Sequence, residues 1–173
     1  MQIRMVKETD LESLRQLFRE AFEEEGEAVS NLALSLIEDK SAQPRVTLVA
    51  EEGDRLVGSV IFSAVTLEGA EQICSYILAP LAVVKDVQRS GIGRKLIESG
   101  CEALCEQDGD AVFVLGDPEY YGRHGFFSKH HVHPPYELPY PEAWMARSLR
   151  GISLESLQGR LICADSLMRP ELW

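Results

Sequence analysis

No run of about 18 apolar residues, the length a membrane-crossing helix needs, occurs in this 173-residue chain, so no membrane is expected as its partner. Basic residues are also short. The 17 Lys and Arg face 28 Asp and Glu, a net charge of −11, and phosphate repulsion then opposes nucleic acid as a general partner. The same acidity suits a cationic substrate such as an amine, or serves solubility alone. Cysteine is sparse: Cys74, Cys101, Cys105 and Cys163 form no C-x-x-C and no paired histidine spacing of the zinc type, which excludes a disulfide scaffold and a zinc module. Cys101 and Cys105, one helical turn apart, suit neither a disulfide nor a complete metal site. No internal repeat or low-complexity tract is visible. The opening MQIRMVKETD lacks a hydrophobic signal core, which sets the expectation of a cytoplasmic protein.

What is present is an ordinary globular composition, 45% hydrophobic and 26% charged, in a length suited to one domain spanning residues 1–173. Ile3 to Val6 alternate as a strand does, and Thr9 or Asp10 then offers an N-cap. Leu11, Leu14, Leu17, Phe18 and Phe22 recur at helical spacing, and Glu23-Glu24-Glu25 with Gly26 is expected to end that helix. A second helix is predicted over Ala28 to Glu38. Val46 to Ala50 and Leu56 to Val65 read as strands about a turn at Glu52-Gly53-Asp54, and a further strand is predicted from Gln72 to Val84. Pro80 inside it cannot donate a ladder hydrogen bond, so it marks a bulge, an edge or a place where strands part. Ala111 to Leu115 is a continuous apolar run, as central parallel strands are, and Asp117-Pro118 opens a short helix carrying Tyr120 and Tyr121. From Ser128 prolines crowd a loop. His130, His131 and His133 there lack cysteine or carboxylate partners at metal spacing, so they read as pocket-lining or exposed side chains, with no metal expected. Ala143 to Leu149 reads as the next strand and Leu154 to Ile162 as a terminal segment around Gly159.

The chain is organised around Leu78 to Cys105: an apolar strand, a turn Gln88-Arg89-Ser90-Gly91-Ile92-Gly93, then an amphipathic helix with Ile92, Leu96, Ile97, Cys101 and Leu104 on one side. Backbone N–H groups at a helix start have no intrahelical partner and carry partial positive charge, so strand, glycine turn and helix form an anion cradle. Side chains at Gly91 or Gly93 would hold phosphate oxygens off the backbone, and Arg89, Arg94 and Lys95 add positive charge in an acidic chain. On the residues alone the same glycines equally well shape a bare strand-to-helix turn. The spacing is not that of a P-loop, and Leu96 stands where a dinucleotide fingerprint needs its third glycine.

Leu81-Ala82-Val83 followed by Gln88-Arg89-Ser90-Gly91-Ile92-Gly93 resembles the acetyl-CoA pyrophosphate motif of the GNAT superfamily of N-acetyltransferases. Tyr121-Gly122-Arg123-His124-Gly125-Phe126 is similar to that family's Y-x-x-x-G-F signature, and Gly116-Asp117-Pro118 with Tyr120 resembles a subgroup of small bacterial acetyltransferases. The resemblance implies an α/β (α+β) fold with a mixed, mostly antiparallel central sheet, splayed central strands and flanking helices. It implies acetyl-CoA as cosubstrate, held by Leu81, Ala82, Val83, Gln88, Arg89, Ser90, Gly91, Ile92, Gly93 and Arg94, with the pantetheine arm pairing to backbone at Leu81 and Val83. The implied reaction is acetyl transfer to a primary amine of a small molecule or peptide by direct attack in a ternary complex. A non-catalytic acyl-CoA-binding regulatory domain is the alternative, and a homodimer is compatible with either. Lys85 departs from the family's usual proline, and its asparagine beyond the next strand has no equivalent here.

Tyr121 is then the candidate to protonate or hydrogen-bond the departing thiolate. Full proton transfer from a phenol of pKa near 10 to a thiol near 8.5 runs uphill by roughly 2 kcal/mol, which favours hydrogen bonding. Tyr120 competes for the role, but adjacent helical residues point about 100° apart, so both are not expected at one sulfur. Asp117, Glu119 and His131 stand open as general base.

Overall fold

The computed structural model describes residues 1–173. Eight strands and four α-helices follow one another as β1 (Gln2–Met5), α1 (Leu11–Phe22), α2 (Gly26–Glu38), β2 (Arg45–Glu52), β3 (Arg55–Leu67), β4 (Ser75–Val83), α3 (Ile92–Glu106), β5 (Ala111–Leu115), α4 (Pro118–Gly122), β6 (His131–His133), β7 (Trp144–Ser148) and β8 (Gln158–Ile162). The main sheet runs β1-β2-β3-β4-β5-β7, antiparallel throughout except for the parallel pair β4–β5. β8 pairs with the far end of β3 and, in parallel, with β6. The fold is therefore the expected mixed α/β arrangement.

From Leu56 to Ser63 every residue of β3 is buried, with no alternation, so both faces of the sheet are covered. α3 packs over the face that carries Gly58 and Phe62: a Cβ at Gly58 would touch Leu96 and Ile92, and one at Gly100 would overlap the Phe62 ring. The α1–α2 pair covers the other face through β3 and β4. One cluster of 42 buried apolar residues joins these layers.

The centre of the sheet is where the site arises. β4 and β5 pair only over Ser75, Tyr76 and Ile77 against Ala111, Val112 and Phe113, and then separate. Just past that point the β3–β4 register steps from Phe62↔Leu78 to Val60↔Leu81, so Ala79 and Pro80 together oppose Ile61. Pro80 thus marks both a bulge and the parting of two strands, consistent with its missing donor.

Three local expectations need correction. β4 begins at Ser75, not Gln72, because Ile73 N–H closes a turn on the Ala70 carbonyl and Cys74 N–H is taken by the Asp110 carboxylate at 2.9 Å. Gly26 opens α2 and does not end α1: Glu23–Glu25 form a 3₁₀ turn, and a side chain at Gly26 would run into the Arg19 backbone where the helices cross. Asp10 precedes α1 without capping it, its carboxylate turning back to Lys7 N–H and the Arg4 guanidinium, each at 2.7 Å.

Candidate active site

Antiparallel pairing alternates between residues whose backbone groups face the neighbour and residues whose groups face away. Val84 N–H bonds the Val57 carbonyl at 3.0 Å, which turns Ala82 toward β3 and leaves Leu81 and Val83 presenting N–H and C=O to the gap on the β5 side. The chain then turns through Gln88 to Gly91. Arg89 and Gly91 both adopt positive φ, 61° and 87°, and such a turn gathers N–H groups toward one point. The Gln88 amide donates to the Val83 carbonyl at 2.9 Å and the Ser90 hydroxyl to the Val87 carbonyl at 2.5 Å, so both side chains brace the turn from within. α3 starts immediately after, with Gly91 as its N-cap.

α4 supplies the facing wall. Asp117 caps it, accepting from Glu119 N–H at 2.8 Å, with Pro118 in the first turn. The Tyr121 ring lies on Gly116, where no Cβ would fit, and meets Phe126 edge-on at 5.6 Å. The Tyr120 ring stands between Tyr121 and His124, at 5.0 and 4.8 Å. A helix of one turn needs outside support, and Arg147 on β7 provides it, reaching Glu98 of α3 with both terminal nitrogens at 3.1 Å and the His124 carbonyl at 3.0 Å. The Arg147 hydrogen bonds hold the Glu98 carboxyl below its usual range.

Between the two walls lies a cavity of about 1000 Å³, bounded by Leu81, Val83, Gln88 to Arg94 without Ser90, and, from the α4 corner, Asp117, Glu119, Tyr120, Tyr121, Arg123 and His124. Every residue to which the resemblance assigns coenzyme binding borders it except Ala82, which pairs with β3, and Ser90, which folds under the turn; Tyr121 borders it too. Tyr120 and Tyr121 both reach the cavity, at different places along it. Neither hydroxyl is among the sealed, unpartnered oxygens, which belong to Thr47, Ser63 and Ser148. Burial, with Tyr120 close by, pushes the Tyr121 phenol well above its ordinary pKa, so it is a proton donor across the physiological range.

Of the three candidates for the base, Asp117 and Glu119 border the cavity, Asp117 while capping α4 and Glu119 while pairing with exposed Arg123 at 2.6 Å, whereas His131 sits exposed on β6, outside the lining. Arg123 and His124, just past the end of α4, also border the cavity, which spacing alone does not foretell. The histidines of the proline-rich loop do not gather. His130 accepts from Val132 N–H through Nδ1 and therefore donates from Nε2 to the Trp144 carbonyl, while His131 and His133 are exposed. No group of three or more His, Cys, Asp or Glu is placed to hold a metal ion, and no helix is long and apolar enough to cross a membrane.

A model of the acetyltransferase (GNAT) domain matches residues 43–127, from the start of β2 through the cavity. The uncharacterized N-acetyltransferase YjhQ of Escherichia coli is 37% identical over 163 residues, which cover 91% of this chain and 88% of that one. Among solved structures, YhbS of Escherichia coli in complex with CoA superposes with a TM-score of 0.87 at 28% identity, covering 97% of this chain and 92% of that one. A GNAT family acetyltransferase from Brucella melitensis in complex with acetyl-CoA gives 0.76 at 27% identity, with coverage of 96% and 97%. With a sequence relative of this extent and two structural relatives of the same architecture, the chain belongs to the GNAT family of N-acetyltransferases.

Proposed function

We propose that the chain transfers the acetyl group of acetyl-CoA to a primary amine, on a small molecule or a peptide, within a ternary complex. The observation that carries this reading is the continuous track formed by the gap-facing backbone groups of Leu81, the free N–H of Val83, the turn Gln88–Gly93 and the first turn of α3, facing Tyr121 across one cavity. The relatives crystallised with CoA and acetyl-CoA support the same ligand here.

The residues fit the coenzyme. The N–H groups opening α3, flanked by Arg89 and Arg94, suit a diphosphate, and the open space at Gly91 lets it reach the backbone, while Gly93 leaves room for the Tyr120 hydroxyl. Leu81 and Val83 offer an extended arm the pairing a neighbouring strand would take. Acetyl-CoA supplies the thioester as cosubstrate. Val83 N–H, pointing into the gap, is placed to stabilise charge building on the acyl oxygen. Tyr121, at the end of that gap, donates its O–H to the departing sulfur. Because burial raises its pKa further above that of a thiol, it acts by hydrogen bonding and keeps its proton. The amine must be neutral when it attacks, since an ammonium has no lone pair.

Calorimetric titration with acetyl-CoA, followed by thiol release measured over a panel of amines that includes protein lysines, tests this. Binding with amine-dependent release is expected. Binding with no release from any amine would instead make the chain a coenzyme-sensing regulatory domain, and no binding would remove both.

A further inference from the structure

Tyr120 and Tyr121 follow each other on one helical turn, yet their rings go to different places. Tyr121 lies against Gly116 at the end of β5, whereas Tyr120 lies over Gly93 in the first turn of α3, where an added Cβ would overlap its phenol oxygen. Val83 Cγ2 stands 3.8 Å from that same Cβ position, so the Tyr120 hydroxyl sits where the end of β4 meets the start of α3. That ring has little freedom, braced by Tyr121 on one side and His124 on the other. Its hydroxyl makes no hydrogen bond within the chain and is open to the cavity. Burial raises its pKa, so the O–H is retained as a donor.

A phenol that is held, unpartnered and neutral beside the N–H groups of a helix start adds a donor there without adding charge. Its hydroxyl stands beside the N–H groups that suit a diphosphate, whereas the neighbouring Tyr121 ring, 5.0 Å away, lies on Gly116. We propose that Tyr120 is a coenzyme-positioning residue whose hydroxyl donates to a diphosphate oxygen alongside the first N–H groups of α3, leaving Tyr121 alone to serve the sulfur. The assignment rests on the coenzyme reading above and gives the two tyrosines different atoms of one ligand.

Titration of the wild type, Tyr120→Phe and Tyr121→Phe with three probes separates the possibilities: CoA; 3′-phospho-ADP, which has the diphosphate but no arm; and pantetheine, which has the arm but no diphosphate. Tyr120→Phe is expected to weaken CoA and 3′-phospho-ADP by roughly tenfold or more, the worth of a hydrogen bond to a charged group, and to leave pantetheine unchanged. Tyr121→Phe is expected to leave 3′-phospho-ADP unchanged. Wild-type affinity of Tyr120→Phe for CoA would overturn the assignment while the coenzyme reading stands. An equal loss for all three probes would overturn it in favour of a general packing role. A wild type that binds no CoA would overturn the coenzyme reading and this assignment with it.

Discussion

Gln88 reaches back five positions to donate its side-chain amide to the Val83 carbonyl at 2.9 Å. The bond ties the cavity's floor to its anion-facing turn, and of the gap-facing groups of Val83 it leaves only the N–H free. Gln88→Ala removes the tie, and an exposed hydrogen bond of this kind is worth roughly 0.5–1.5 kcal/mol. CoA affinity should fall about threefold to tenfold by calorimetry. Gln88→Glu, which cannot donate and brings a negative charge, should fall further. Equal affinity in all three proteins would dissociate the amide from binding.

The two glycines of the turn fail differently when substituted. At Gly91, with φ of 87° and open space around a Cβ, alanine meets only backbone strain and should lower unfolding stability by about 1 kcal/mol. Gly91→Glu sets a carboxylate at the same point and should abolish CoA binding; retained affinity there would detach the diphosphate from this turn. Gly93 is not at positive φ, but its Cβ would overlap the Tyr120 oxygen, so Gly93→Ala should disturb Tyr120 and CoA affinity more than stability.

Tyr121→Phe keeps the packing on Gly116 and Phe126 and loses only the donor. Turnover should slow by roughly tenfold to a hundredfold, with CoA affinity nearly unchanged. Since burial raises the Tyr121 pKa, the wild-type rate profile should show no falling limb near pH 10 that vanishes in the phenylalanine variant. A rate equal to wild type would release Tyr121 from its role.

Much of this site could be read from sequence because Leu81 to Arg94 form one unbroken strand, turn and helix start, whose apolar periods and glycines are local signals. The facing wall could be read only in part. Tyr121 belongs to a recognisable signature, but the clamp that holds it, Arg147 to Glu98 and to the His124 carbonyl, joins residues as far as 49 apart and leaves no trace in spacing. Gly26 misleads for the same reason: it looks like a helix terminator, and its use, close approach to Arg19, exists only in space. β6 and β8 are short partners 27 positions apart, as His131↔Gln158 shows, in proline- and glycine-interrupted text without alternation.

Asp39 sets an acid limit on stability. Burial alone would raise its pKa, but hydrogen bonds from the N–H and Oγ of both Ser41 and Ser166 outweigh that and hold it at about 2. A carboxyl lowered on folding contributes stability that is present above its unfolded value near 4 and is lost as pH falls toward 2. Asp39→Asn should cost about 2 kcal/mol at pH 7 and flatten the urea midpoint between pH 4 and 2. An unchanged acid profile would count against this set of four bonds, two of which fasten Ser166 to the end of α2.

The three-rung contact between β4 and β5 makes the sheet a hinged plate. Fewer main-chain bonds must break to open it there than along the β2–β3 or β3–β4 seams, so amides bordering the hinge should exchange with deuterium sooner than their deep position implies. A molecule that bridges the hinge welds one half to the other, and its effect on the melting temperature should be large for the number of atoms it touches.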